Sequence, residues 1–215
     1  MAGKANAVCM LTVACCLWDA NDLIYEFSRC FDSSWVDKLY RGFARNLTVP
    51  FRFVCFTDRK QYFREPVESV IDENIGLAGY GDCIRPFSLN EPMIFVGLDT
   101  IVTGNIDKMA RWCVEHPGQM ALPKHPYEDF SINGVVLCGA GMRHVWDEWR
   151  GENDMEWTRS FPHERIDDLW DGRVVSYKAA MHGEDNVPLQ VRIVYFHGKP
   201  KPHQIRARWV REHWR

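Results

Sequence analysis

An α/β fold built on a mainly parallel sheet, with helices packed on both faces, is predicted from three features of this sequence. β-rich apolar runs alternate with amphipathic stretches through the first hundred residues. The runs are continuously apolar rather than alternating, as in strands buried on both faces. No internal repeat, low-complexity tract or Gly/Ser linker interrupts them, so residues 1–215 read as one domain.

The elements follow in order. Residues 7–17 read as a first central strand, followed by a polar, acidic loop over 19–34 with a short helical piece. Ser33-Ser34 offer an N-cap, and Val36, Leu39, Tyr40 and Phe43 recur at helical spacing, which predicts a helix over 35–46. Pro50 ends that connection. Residues 51–56 read as a second strand ending in Thr57-Asp58, and 67–71 as a shorter third. Residues 76–81 read as loop. Residues 92–96 form a buried strand that runs into Gly97-Leu98-Asp99-Thr100. Asn105 or Asp107 caps a short helix ending at Glu115, and 118–122 and 132–138 are two more strands. A helix over 141–150, a polar loop over 151–172, strands over 174–177 and 191–196, and a terminal helix over 208–214 complete the chain.

Composition excludes several classes. Of 215 residues, 46% are hydrophobic and 26% charged, which excludes disorder, collagen and coiled coil. Nine Trp raise the aromatic share to 13%, enough for a sizeable core. A net charge of −3 argues against a general nucleic-acid coat protein. The apolar run 7–18 is too short for a bilayer, which takes roughly 20 residues. Only Lys4 precedes that run, and no small-residue cleavage site follows it, so a soluble, cytoplasmic protein is expected. The eight cysteines show no C-x-x-C pair and sit mostly in apolar runs, so reduced, buried thiols are expected. The sequon Asn46-Leu47-Thr48 carries no weight in that setting.

Three constellations carry chemistry. Asp99 ends a buried strand, and an unpaired carboxylate is costly there. Two readings stay open for it: a ligand for a divalent metal that also holds phosphates, or a turn-forming Asp that caps loop amides. The run Tyr195-Phe196-His197-Gly198-Lys199-Pro200-Lys201-Pro202 places two lysines in a Pro-stiffened loop. Those lysines suit phosphate and the imidazole suits a metal, but the same residues also make an ordinary exposed basic loop. Residues 189–215 carry seven Lys or Arg and one acid, leaving +6 there and −9 elsewhere. An anionic ligand, a nucleic acid or a membrane surface fits that asymmetry, as does a solvated terminal helix docked by Trp209 and Trp214. Gly139-Ala140-Gly141 has His144 at the third fingerprint position and is weak, as is the Gly76, Gly79, Gly81 pattern. No P-loop and no G-x-S-x-G occur, which argues against a P-loop NTPase and an ordinary serine hydrolase.

Six segments spread along almost the whole chain carry a further signal. They are Lys38-Leu39-Tyr40-Arg41-Gly42, residues 49–58, residues 98–107, Asn133-Gly134-Val135-Val136, Ser176-Tyr177-Lys178, and Phe196-His197-Gly198-Lys199-Pro200-Lys201-Pro202. With them the chain resembles the small bacterial and phage relatives of glycosyltransferase family eight, the group that contains glycogenin and the lipopolysaccharide galactosyltransferases. The resemblance implies a GT-A fold with the basic tail, about 200–215, packed on it. It also implies a nucleotide-sugar donor, usually UDP-linked, with Mn²⁺ or Mg²⁺, and retention at the anomeric carbon. The acceptor is an unknown glycan, with a modified base in DNA as the other possibility.

The family's D-x-D motif falls on Gly97-Leu98-Asp99: the second Asp is Asp99 and the first is a glycine. The late H-F-x-G-x-x-K-P motif falls on residues 195–202, with Tyr195 where the metal His stands. His197 lies two positions on, on the same strand face, and takes that role beside Asp99. By resemblance Lys201 holds the diphosphate with the Gly198 amide, while Arg85 and Asp58 join the donor set. Asn133 faces the donor sugar, and Glu164 stands for the acceptor-side carboxylate. The loss at Gly97 opens an alternative: a degenerate nucleotide-sugar-binding or scaffold protein without turnover.

Overall fold

Alternate residues of the first strand bury on opposite sides of one sheet, which fixes the layer order. The computed structural model describes residues 10–73 and 78–215. The strands are β1 (Leu11–Leu17), β2 (Phe51–Thr57), β3 (Val67–Ile71), β4 (Met93–Val96), β5 (Ile101–Val102), β6 (Met120–Leu122), β7 (Val135–Cys138), β8 (Glu164–Arg165), β9 (Val174–Ser176) and β10 (Ile193–Tyr195). Seven form the main sheet in the order β3-β2-β1-β4-β7-β6-β8, and β5-β10-β9 form a small second one. In the main sheet only β7 runs against the others. The mainly parallel mixed sheet of the GT-A class is therefore the observed architecture.

Two helices cover one face: α1 (Ser33–Asn46) and α2 (Asp107–Glu115). Val13, Cys15, Ile94, Val96, Val135 and Leu137 pack there against Val36, Leu39, Phe43, Met109 and Cys113. The intervening residues Ala14, Met93, Phe95, Val136 and Cys138 face the other way. They meet Ile84 and Phe87 of a 3-10 segment (Tyr80–Leu89) and Val145 of α3 (His144–Asp147). The two-residue period of the strand thus feeds both layers. The chain moves outward from β1 to β3 and then returns to the other side of β1 with β4. That reversal makes the β1–β4 boundary the topological switch point, where ligands of such sheets bind.

Several boundaries move from their predicted places. Residues 7–9 of the first predicted strand, and 76–77 of the predicted loop, lie outside the described residues. Helix α1 begins earlier than residue 35, because Asp32 and not a serine caps it: its carboxylate accepts from Ser34 N at 2.9 Å and from Ser34 Oγ at 2.5 Å. The helix predicted over 141–150 is only the turn α3. Asn90 Oδ1 accepts from Gly141 N and Arg143 N, and Glu152 accepts from Arg150 N and the Trp149 indole, so a distant side chain limits the helix at its start and a nearby residue at its end. The predicted polar loop over 151–172 instead holds α4 (Asp154–Ser160), the edge strand β8 and α5 (Ile166–Leu169). Asn153 caps α4, accepting from Met155 N and Glu156 N.

Asp107 lies in the first turn of α2, and its carboxylate reaches back to the loop before β2. Burial alone would raise that carboxyl, but the Thr48 hydroxyl and amide hold it below the usual range. Asn105 Oδ1 accepts from the Asp107 amide at 3.1 Å. The basic tail docks through α6 (Arg208–His213) and Trp214, whose ring lies 4.8 Å from that of Trp35, while Arg45 donates to the His213 carbonyl. Among the seven described cysteines, Cys15, Cys55, Cys113 and Cys138 are buried as expected. Burial pushes the Cys113 thiol up to about 12. Cys16 and Cys83 are half-buried, and Cys30 is exposed, against expectation, because the loop after β1 holds it at the surface. Among the described residues no helix is long and apolar enough to cross a membrane.

Candidate functional site

The carboxyl end of β4 delivers Asp99 to the switch point. Thr100 N donates to Gly97 O at 3.1 Å, which closes a tight turn and sends the chain into the second sheet. Asp99 is only 7% exposed, so it needs a partner. That partner is Lys201, whose ammonium donates to Asp99 Oδ2. Lys201 is itself 4% exposed. Its ammonium lies 4.9 Å from the ring centroid of Phe27 and 5.4 Å from that of Phe31, so two aromatic faces complete its box. The lysine main chain is fixed too, since Lys201 N donates to Gln204 Oε1 at 2.8 Å. A cavity of about 170 Å³ opens beside it, lined by Glu26, Phe27, Cys30, Lys199, Lys201, His203 and Gln204.

Gly198 begins the loop that carries Lys201. Its φ of +61° suits glycine, and a Cβ there would stand 3.2 Å from Lys178 Nζ. Lys178 follows β9, so the small sheet brings a further ammonium to the same loop. The chain holds Lys178 in the segment Ser176-Tyr177-Lys178, but its closeness to Gly198 comes only from the pairing of β9 with β10.

His197 Nδ1 lies 3.3 Å from Ser176 Oγ. Its ring centroid is 6.2 Å from that of Tyr195 and 6.4 Å from that of His125. Burial lowers the imidazole below its ordinary value, and Lys178, His125 and Lys201 lower it further, with Asp99 opposing. A lowered folded value means that the unfolded chain takes up the proton first as pH falls. Stability is therefore fully present above the ordinary histidine range and is lost as pH falls through it. Replacing His197 by Gln should reduce the loss of denaturant-measured stability between about pH 7.5 and pH 5.5. An unchanged pH slope would contradict this assignment. Burial, followed by the charge of Asp167, pushes the Tyr195 phenol well up, so it stays protonated at neutral pH.

Asn133 precedes β7, and Gly134 ties it to the site. Gly97 N donates to Gly134 O at 3.4 Å, and a Cβ on Gly134 would sit 3.3 Å from the Tyr195 ring. Asn133 Nδ2 donates to Asp154 Oδ2 at 2.7 Å. Burial raises the Asp154 carboxyl. Asp154 carries no motif signal of its own; the acidic composition of 151–172 was the only hint in the sequence. Glu164 stands exposed on the edge strand β8, paired in register with Ala121.

Asp58 and Arg85 occupy other strand ends. Asp58 follows β2, and its Oδ2 accepts from Asp19 N at 2.8 Å; Arg59 pairs with both acids. Asp58 Oδ1 is buried and has no hydrogen-bond partner among the described residues. Arg85 pairs with Asp82 at 3.2 Å and Asp72 at 2.5 Å, and its guanidinium lies 5.2 Å from the Trp146 ring. A cavity of about 200 Å³ there is lined by Trp18, Phe56, Thr57, Asp72, Arg85 and Trp146, among others. The geometry therefore gathers Asp99, Lys201, Gly198, His197 and, through Gly134, Asn133. Arg85 lines a separate cavity, and Glu164 stands at the sheet edge.

No family model matches the chain. No curated protein matches it either. Among solved structures, the glycosyltransferase GlyE of Streptococcus pneumoniae TIGR4 superposes with a TM-score of 0.56 at 13% identity. The fold is shared with a glycosyltransferase. The superposition covers 89% of this chain but 55% of GlyE, so the chain spans about half the length of that neighbour.

A divalent metal at Asp99 is implied by the family resemblance, and the donor set is a poor fit for one. Lys201 already holds Asp99 Oδ2, Gly97 supplies no second carboxylate, and the Tyr195 phenol keeps its proton. Among the described residues no three His, Cys, Asp or Glu side chains come together as a metal site. A hard divalent ion at a diphosphate site takes waters, phosphate oxygens and one or two carboxylates, and here Lys201 already occupies the Asp99 carboxylate, which leaves the half-buried His197 imidazole as the further side-chain ligand beside it.

Proposed function

We propose that this protein is a retaining glycosyltransferase related to family eight, which takes a sugar from a nucleotide diphosphate, UDP-linked, and passes it to a glycan acceptor. The observation that carries this reading is the buried Asp99–Lys201 pair at the switch point of a glycosyltransferase fold. In the reaction the bond from the anomeric carbon to the β-phosphate oxygen breaks, and its electron pair stays on that oxygen. The acceptor hydroxyl oxygen forms the new bond to the anomeric carbon, and its proton passes to the departing diphosphate. Lys201, together with Lys199 of the same loop and Lys178 just after β9, supplies positive charge where the leaving diphosphate gathers negative charge. The box around Lys201 is built before substrate arrives, so little reorganisation is needed. Asn133, bonded to Asp154, stands on the sugar side in this reading.

Incubation with a panel of nucleotide sugars tests the reading. Slow release of free sugar and UDP from one of them is the expected result. Failure of every nucleotide and nucleotide sugar to bind would exclude it. Gly97 favours a second reading, a binder without turnover, and tight binding of a UDP-sugar with no sugar release would select that one. The exposed Arg206, Arg208 and Arg211 of the tail keep DNA as the other acceptor class. Retention of DNA at low salt, lost steeply on adding salt, would replace the glycan in the reading.

A further inference from the structure

We propose that the Lys201 ammonium is the resident cation of the diphosphate site, so that donor binding needs no divalent metal. This rests on the nucleotide-sugar reading above. The first ground is position. Asp99 presents one carboxylate at the switch point, and Lys201 is bonded to it, both nearly fully buried. A metal ion would have to displace that buried ammonium from the Asp99 carboxylate, with the half-buried His197 imidazole as its further side-chain ligand.

The second ground is the space around Asp99. A Cβ on Gly97 would stand 3.0 Å from Asp99 Oδ1, so a second carboxylate at this turn would crowd the first. The glycine leaves the Asp99 carboxylate free to face Lys201. The third ground is charge. Lys178, Lys199 and Lys201 surround the loop at Gly198, against the carboxylates of Asp99 and Glu26. A net positive site attracts a diphosphate and opposes a divalent cation. The fourth is hydrogen-bonding capacity. An ammonium has three N–H donors, and Asp99 is its only hydrogen-bond acceptor among the described residues. The aromatic faces of Phe27 and Phe31 hold the group in place without consuming its other donors. Those donors remain for phosphate oxygens. Asp99 thereby becomes a positioning residue that aims Lys201.

Calorimetric titration of the full chain with UDP, once in EDTA and once in excess Mn²⁺, tests this. The two dissociation constants should agree within about twofold, well short of the effect of a lost charged contact. In EDTA, Lys201→Met should weaken UDP about tenfold or more, and Lys201→Arg should recover part of that loss. Thermal melting of both variants separates lost binding from lost fold, and the wild-type comparison decides alone if they do not fold. Binding that vanishes in EDTA and returns with Mn²⁺ would overturn the lysine assignment while leaving the nucleotide reading intact. A Lys201→Met variant that folds and binds UDP as the wild type does would also overturn it. Absence of UDP and UDP-sugar binding in both buffers would remove the nucleotide reading, and this inference with it.

Discussion

Replacing Asp99 by Ala should lower stability by about 3–5 kcal/mol, the usual cost of leaving one member of a buried ion pair without its partner. For a chain of this size that corresponds to a fall of roughly 6–20 °C in Tm. Lys201 is the group left behind, at 4% exposure, with the rings of Phe27 and Phe31 among its remaining neighbours. Asp99→Asn keeps an acceptor oxygen facing the ammonium and should cost less. The double variant Asp99→Leu with Lys201→Met removes both charges and fills the space with apolar groups. It should recover most of the stability, because an apolar pair of similar volume is often as stable as a buried ion pair. Calorimetric melting of the three variants checks this. An Asp99→Ala protein that melts within about 2 °C of the wild type would show that the pair is not a buried one.

Gly139→Ala should also be strongly damaging, for a different reason. A Cβ at residue 139 would fall 1.9 Å from the His116 carbonyl oxygen and 2.7 Å from its carbon. Both atoms are backbone, so no side-chain rotation relieves the overlap. Two main chains touch here: Gly139 N donates to Gln119 O at 2.8 Å, and Gly118 N donates to Ala140 O. The turn after α2 is thereby fastened to the end of β7, and the strand β6 that follows depends on it. Overpacking a well-filled interior costs about 1–3 kcal/mol and occasionally more, and a backbone overlap belongs at the upper end. Urea denaturation measures it, and an unchanged midpoint would contradict the packing described for this turn.

What the sequence revealed follows from which interactions are local. β3 at 67–71 and the carboxyl-terminal limit of α1 at 46 coincide with their predicted places, because apolar runs and helical spacing are read within a few residues. The start of α1 moved because Asp32 and two serines compete for one cap, and the choice depends on a backbone angle that composition does not carry. α3 starts late because Asn90, far away in sequence, takes the amides of residues 141 and 143. The site followed the same rule. Asp99 and Lys201 stood out as candidates, one as a buried acid and one in a stiffened basic loop. Their direct pairing, across 102 positions, is a product of the fold. Asp154 and Lys178 acquire meaning only from their neighbours Asn133 and Gly198, which tertiary packing supplies.

A crystal structure of the UDP complex would decide whether the β4 end is where this protein works. The diphosphate should lie between the 26–31 loop and the 198–204 loop, with a phosphate oxygen in hydrogen-bonding reach of Lys201 Nζ. A diphosphate seated in the Arg85–Trp146 cavity, out of reach of Lys201, would contradict it.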